Sequence, residues 1–326
     1  MTQTETQQRG LLATIGDTPL VDLPTETTTS VHAKLETFNP GGSVKDRIGR
    51  HIIERLLERG DLEPGGRIIE PTAGNTGIGM AIAAGQLGVD ATFVVPRGFS
   101  EEKETLMAAL GADIVHTPSD GGMDTAKARA RELADDDDEA VVPDQFSSQW
   151  NVEAHHRGTG QEIVAALDGQ VGAFVAGIGS GGTLMGVQRA IREVEPDVHV
   201  VAVEPEGSTY GTLLGEERTA AAYKTEGIGT HEPAVTSLLD PSVIDDIQTV
   251  SDRDAHEAVR RLAAEDGLLV GSSSGAASVA ARRVAAAIDA GEIDAPHETV
   301  VTVFPDGSER YLSKNLYGSF EEWGGK

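Results

Sequence analysis

Lys45 lies in Asn39-Pro40-Gly41-Gly42-Ser43-Val44-Lys45-Asp46-Arg47, where a Gly-Gly turn runs into an expected helix. Only 7 of the chain's 26 lysines and arginines are lysines, so an amine kept at this point is informative. The positive end of a helix disfavours the charged form of a nearby ammonium. A neutral amine can attack a carbonyl carbon, which suits this lysine to Schiff-base chemistry. On this loop alone, a solvated lysine in a Gly-Pro turn fits equally well.

Three Gly-rich segments carry further chemistry. Glu70-Pro71-Thr72-Ala73-Gly74-Asn75-Thr76-Gly77 opens an Ala-rich helix. Its amides, with the Thr72, Asn75 and Thr76 side chains, can hold a carboxylate at a helix N-terminus. A cap needs one such side chain, and this segment has more than a cap requires. Gly177-Ile178-Gly179-Ser180-Gly181-Gly182-Thr183 suits a phosphate: glycines allow close approach of amides, and the next helix adds its positive end. Gly177, Gly179 and Gly182 also satisfy the dinucleotide pattern G-x-G-x-x-G, with Glu204 placed as an acidic ribose ligand. The segment alone leaves NAD and a phosphate monoester both open. Gly271-Ser272-Ser273-Ser274-Gly275 reads by itself as an N-cap with small packing residues. A hydroxyl there can also meet a ring nitrogen.

Taken together, these segments suit an aldehyde cofactor with a phosphate handle and an amino-acid substrate. Pyridoxal 5'-phosphate meets all three requirements. NAD leaves the Lys45 loop and Thr72–Gly77 unexplained.

The elements that must position these residues alternate. Strands are expected at Arg67–Glu70, Ala91–Val95, Asp113–Thr117, Gly172–Ala176, Val198–Glu204, Asp246–Val250 and Thr299–Phe304. Helices are expected at Val44–Arg59, Gly77–Leu87, Ser100–Leu110, Asp124–Leu133, Thr183–Glu193, Arg253–Glu265 and Gly275–Ala290. Val-rich strands alternating with helices predict an α/β fold with mostly parallel sheets. The three Gly-rich segments fall at strand-to-helix junctions, where parallel sheets place ligands. Asp135 to Glu139 and Pro143 to Trp150 mark a hinge between two units.

At 326 residues the chain has room for two domains. It has no apolar run of membrane length and no signal-peptide pattern, so a cytoplasmic protein is expected. The absence of cysteine rules out disulfides, thiolate chemistry and Cys-based metal sites, and no metal is expected. A net charge of −27 argues against nucleic acid and anionic membrane as partners. That acidity, with so few lysines, resembles proteins of organisms that keep molar salt in the cytoplasm.

From Ile15-Gly16-Asp17-Thr18-Pro19-Leu20 to Glu309-Arg310-Tyr311-Leu312-Ser313, the chain resembles the cysteine synthase and cystathionine β-synthase group. These are fold-type-II, tryptophan-synthase-β-like pyridoxal-phosphate enzymes. The resemblance implies two three-layer α/β domains. Residues 1–38 and 150–326 would form the larger, phosphate-binding one, and 39–149 the smaller, mobile one. It implies that Lys45 is the Schiff-base lysine and that Asn75 meets the cofactor's ring hydroxyl. Thr72, Ala73, Gly74, Asn75 and Thr76 would grip the substrate carboxylate, helped by Gln145. Gly179, Ser180, Gly181, Gly182 and Thr183 would hold the phosphate. Ser273, with Ser272 and Ser274 one position to either side, would face the pyridine nitrogen, and Gly227 would line the entrance. Ala73 stands where a serine is common, so any role of that serine falls to Thr72 or Thr76. Asp17 replaces a frequent asparagine. Glu226 and Pro305-Asp306-Gly307-Ser308 lean towards the cystathionine β-synthase branch.

The implied reaction is a β-replacement through an α-aminoacrylate, with Lys45 as general base. O-acetylserine (or O-phosphoserine) and sulfide would give L-cysteine. The alternative is serine with homocysteine. The implied partners are the amino-acid substrate, a sulfur nucleophile, a second copy in a homodimer, and a serine acetyltransferase.

Overall fold

A computed structural model of the chain describes residues 10–323. Its strands are β1 (Leu20–Leu23), β2 (Ser30–Leu35), β3 (Arg67–Pro71), β4 (Asp90–Pro96), β5 (Asp113–Thr117), β6 (Ala140–Val141), β7 (Ala173–Gly177), β8 (His199–Pro205), β9 (Asp246–Val250) and β10 (Thr299–Phe304). Its α-helices are α1 (Lys45–Arg59), α2 (Asn75–Leu87), α3 (Glu101–Ala109), α4 (Gly122–Asp135), α5 (Gln149–His155), α6 (Gln161–Ala166), α7 (Gly182–Arg192), α8 (Asp252–Glu265) and α9 (Ser272–Asp289).

The chain divides into two units. The smaller joins the described residues up to Asp17 with Asn39–Asp144; the larger joins Thr18–Phe38 with the described residues from Gln145 onward. This differs from the expected division at two seams, for reasons visible in the hydrogen bonds. Residues 10–17 belong to the smaller unit because the Gly16 amide donates to Asn39 Oδ1 (2.9 Å) and Arg50 donates to the Leu12 carbonyl (3.0 Å). Gln145 and Phe146 belong to the larger one. Their carbonyls accept from Asn151 Nδ2 (2.8 Å) and Thr236 Oγ1 (2.9 Å).

The smaller unit holds a four-stranded sheet ordered β5-β4-β3-β6, parallel throughout. Ile69 and Val94 pack under Ala126 and Ala130 of α4. Ile68, Phe93 and Val95 alternate to the other face and are equally buried. Burial on both faces explains why these strands read as unbroken apolar runs.

The larger unit holds a six-stranded sheet ordered β1-β2-β10-β7-β8-β9, in which only the β1–β2 pair is antiparallel. Alternation divides its core in two. Ala173, Val175, Val201, Val203 and Val300 meet Ala276, Ala280 and Val284 of α9. Phe174, Ala176, Val200, Ala202 and Val301 meet Leu184, Val187 and Ile191 of α7. Each unit is thus a sheet between helices, the layered α/β architecture expected.

β1, β2, β6, α5 and α6 went unread in the sequence. β2 carries His32 and Lys34 and does not look like a core strand. Lys34 is nonetheless only 2% exposed, its charge met by Glu162 at 2.7 Å. Between α5 and α6 a π-turn at His156–Gly160 contains two glycines and breaks the helical period.

Candidate active site

The smaller unit brings Lys45 and the Thr72–Thr76 loop together. Lys45 is the first residue of α1, and its amide donates to Ser43 Oγ (3.2 Å). The Asp46 carboxylate accepts from the Gly41 amide and pins the turn that precedes the helix. Asn75 is the first residue of α2. Ahead of it, the Gly74 amide donates to Thr72 Oγ1 (3.3 Å), and Gly74 caps the helix with no side-chain acceptor. First-turn amides lack intrahelical acceptors, so this end of α2 can receive an anion. The lysine is tied to this loop by backbone contact. A Cβ at Gly49 would lie 2.5 Å from the Gly79 carbonyl carbon, and one at Gly79 would lie 2.7 Å from that of Lys45. Only glycine at both places lets α1 and α2 approach so closely.

The larger unit brings together Gly179–Thr183, Gly227 and Ser273. The phosphate-type loop leaves the end of β7 and enters α7. Its carbonyls are already used. Gly179 O accepts from Tyr210 OH (2.6 Å), and Ser180 O accepts from Thr236 Oγ1 (2.6 Å). Burial, then the nearby Tyr223 and Glu204, push the Tyr210 hydroxyl well above the usual tyrosine range, so it stays a donor. Ser180 Oγ accepts from Asn151 Nδ2 (3.0 Å), and Thr183 Oγ1 is 3.2 Å from His155 Nε2. The amides of Gly179, Ser180 and Gly181 donate to no described residue. Gly181 sits at φ +88°, which favours glycine. Asn151 Oδ1 is buried with no partner among the described residues. Free amides on a glycine cradle at a helix N-terminus fit a phosphate.

Glu204, the candidate ribose ligand, is committed elsewhere. It is fully buried against Arg218 Nε (2.7 Å) and accepts from the Gly211 amide (3.3 Å). That removes the acidic residue on which a dinucleotide site would depend.

The three serines at the start of α9 have different surroundings. Ser272 Oγ accepts from the Glu226 amide (3.0 Å). Ser274 is fully buried, and its hydroxyl has no partner among the described residues. Ser273 faces Gly227: a Cβ there would lie 4.0 Å from Ser273 Oγ. Gly227 in turn abuts the phosphate-type loop, since a Cβ at Gly179 would lie 2.6 Å from the Gly227 carbonyl oxygen. Gln145 is buried and joins this group through Asn151. The residues present therefore fit pyridoxal phosphate, with amides for its phosphate and a neutral hydroxyl for its ring nitrogen.

Asn151, Tyr210 and Thr236 were missed in the sequence. Asn151 lies on the unread α5, while Tyr210 opens a short 3-10 turn (Tyr210–Leu214) and Thr236 follows another (Pro233–Val235) in the stretch between β8 and β9, pieces too short to show a period. Gly49 and Gly79 did give a signal, since a glycine inside a helix costs about 1 kcal/mol against alanine and calls for a reason.

Comparison with known proteins shows what the chain as a whole is similar to. A family model described as "Pyridoxal-phosphate dependent enzyme" matches residues 11–306. An O-acetylserine dependent cystathionine β-synthase of Bacillus subtilis is 45% identical over 93% of this chain and 95% of its own length. A cysteine synthase of Helicobacter pylori is 42% identical over 93% of this chain and 96% of its own length. Among solved structures, a cysteine synthase from Entamoeba histolytica has a TM-score of 0.87 at 32% identity, covering 97% of this chain and 93% of the other.

Proposed function

The chain belongs to the pyridoxal-phosphate dependent enzymes, in the cysteine synthase and cystathionine β-synthase group with the tryptophan-synthase-β-like fold, and from that premise we propose that it makes L-cysteine. The substrates are O-acetylserine (or O-phosphoserine) and sulfide. The Cβ–O bond breaks, the Cβ–S bond forms, and acetate or phosphate leaves.

Lys45 would hold the cofactor's aldehyde carbon, Asn75 its ring hydroxyl, Gly179–Thr183 its phosphate and Ser273 its ring nitrogen. When bound, the cofactor supplies an electron sink that acidifies the substrate's α-carbon. Lys45 Nζ takes the α-proton and returns one at the end. The amides and hydroxyls of Thr72–Thr76 bind the substrate carboxylate at the start of α2, assisted by the Gln145 side chain. The Tyr210 and Thr236 hydroxyls hold the phosphate loop with its amides free.

The observation that carries β-replacement is the neutral residue at the start of α9. A serine hydroxyl beside a positive helix end leaves a ring nitrogen unprotonated, which tempers the sink and favours loss of a β-substituent over transamination. We expect Ser273→Asp to lower kcat/KM for β-replacement by about 10²-fold, because a carboxylate there would favour the protonated ring nitrogen. The same loss from Ser272→Asp but not from Ser273→Asp would move the assignment by one residue.

A second reading, homocysteine as the nucleophile, is favoured by the name of the B. subtilis relative and by Glu226. Assays crossing O-acetylserine or serine with sulfide or homocysteine separate the two. We expect kcat/KM for O-acetylserine with sulfide to exceed the other pairs by about tenfold or more. Faster turnover with homocysteine would replace the first reading with the second.

The charge of −27 supports a salt requirement. Below about 0.1 M ionic strength, screening between surface carboxylates weakens, and melting temperature and activity should both fall. Full stability in dilute buffer would rule this out.

A further inference from the structure

The segment Lys224–Gly229 carries Gly227 to Ser273 but forms no helix or strand. Its amides are held by other elements. Those of Lys224 and Thr225 donate to the Asp252 carboxylate (2.6 and 2.9 Å), that of Glu226 to Ser272 Oγ (3.0 Å), and that of Gly229 to the Ile178 carbonyl (2.7 Å).

The Lys224 ammonium makes a different attachment. Nζ donates to the carbonyls of Phe320 (3.2 Å) and Trp323. It also lies 4.8 Å from the Phe320 ring centroid and 5.8 Å from that of Trp323. The turn at Ser319–Trp323 that presents these groups is seated on α8. Trp323 is 3% exposed and stacks on His256 at 5.2 Å, and Arg253 covers Phe320 at 4.2 Å. Lys314, just before the turn, pairs with Glu226. In a chain with 53 aspartate and glutamate side chains, this ammonium is met by carbonyls and ring faces, partners that a guanidinium can also engage.

We propose that Lys224 is a positioning residue for the β-replacement site. Clasped by the Ser319–Trp323 turn, it fixes Lys224–Gly229 and so sets Gly227 against Ser273 and the phosphate loop. The proposal rests on the reading of Ser273 and Gly227 as site residues.

Hydrogen exchange on the holoenzyme tests it, with steady-state kinetics alongside. In Lys224→Met, which keeps the stem and loses the donors, we expect the Thr225 and Glu226 amides to exchange about tenfold faster. KM for the amino-acid substrate should rise about tenfold, with kcat within about twofold. Lys224→Arg keeps the charge and N–H donors for the same carbonyls and rings, and should stay within about threefold of wild type in both readouts. Wild-type exchange and KM in the Met variant would overturn the proposal, as would an Arg variant as loose as the Met one. A wild-type enzyme inactive on every β-substituted serine would instead defeat the functional reading, and the exchange rates would still decide the role of Lys224.

Discussion

Lys45→Ala is expected to lower turnover by at least about 10³-fold, because in the proposed mechanism one side chain would serve as both covalent anchor and general base. The fold should survive. Alanine is a good helix former at the first position of α1, and the backbone contacts at this position remain: the hydrogen bond from its amide to Ser43 Oγ and the packing of the carbonyl against Gly79. Melting temperature should stay within about 3 °C of wild type, the shift of roughly 1 kcal/mol in a domain of this size. The variant should also lose the yellow colour of the wild-type holoenzyme. Wild-type turnover in this variant would refute the assignment of the amine.

Gly79→Ala is the complementary experiment, since it leaves the amine in place and moves the backbone that carries it. The new methyl would lie 2.7 Å from the Lys45 carbonyl carbon and 2.9 Å from the Asp46 nitrogen. Real contacts of that kind are longer, so α1 and α2 must part by about 1 Å, a displacement that costs about 10²-fold in rate when it moves a catalytic group. Overpacking of this kind also destabilises by about 1–3 kcal/mol. Gly85→Ala is the control in the same helix. Its Cβ would meet nothing closer than the Leu110 carbonyl at 3.9 Å, so it should be neutral or slightly stabilising. Kinetics and thermal melts of the two variants, side by side, test whether the close approach of α1 and α2 matters to the site. Wild-type kinetics in Gly79→Ala would show that the placement of Lys45 tolerates the shift.

Much of this architecture was legible because its strands are buried on both faces. Phe93-Val94-Val95 and Phe174-Val175-Ala176 are apolar at every position, and such short runs, ending at Pro96 and Gly177, have few other readings. β2 was not legible, because its buried Lys34 looks like a surface residue until Glu162 is seen beside it. No local pattern encodes a pairing between residues so far apart in sequence.

The site shows the same division. Lys45, Asn75 and Gly179–Thr183 announce themselves through glycine-rich loops at helix starts, since the loops are continuous in sequence. The side chains that aim those loops do not. Tyr210 and Thr236 reach the loop carbonyls from the stretch of short 3-10 turns between β8 and β9, and Asn151 reaches Ser180 from a helix followed by a π-turn. Among the three serines, sequence gave no preference beyond register, whereas the Glu226 amide on Ser272 separates that hydroxyl from its neighbour Ser273.

The central claim is that this chain uses a Lys45-borne pyridoxal phosphate to exchange the β-substituent of an activated serine. The most direct test is the visible spectrum of the protein purified in molar salt, recorded as O-acetylserine and then serine are added with no sulfur nucleophile present. A yellow protein whose band shifts with O-acetylserine alone, holds its new position, and returns when sulfide is added is the predicted result. A band that no amino acid moves, or a colourless protein, would contradict the account.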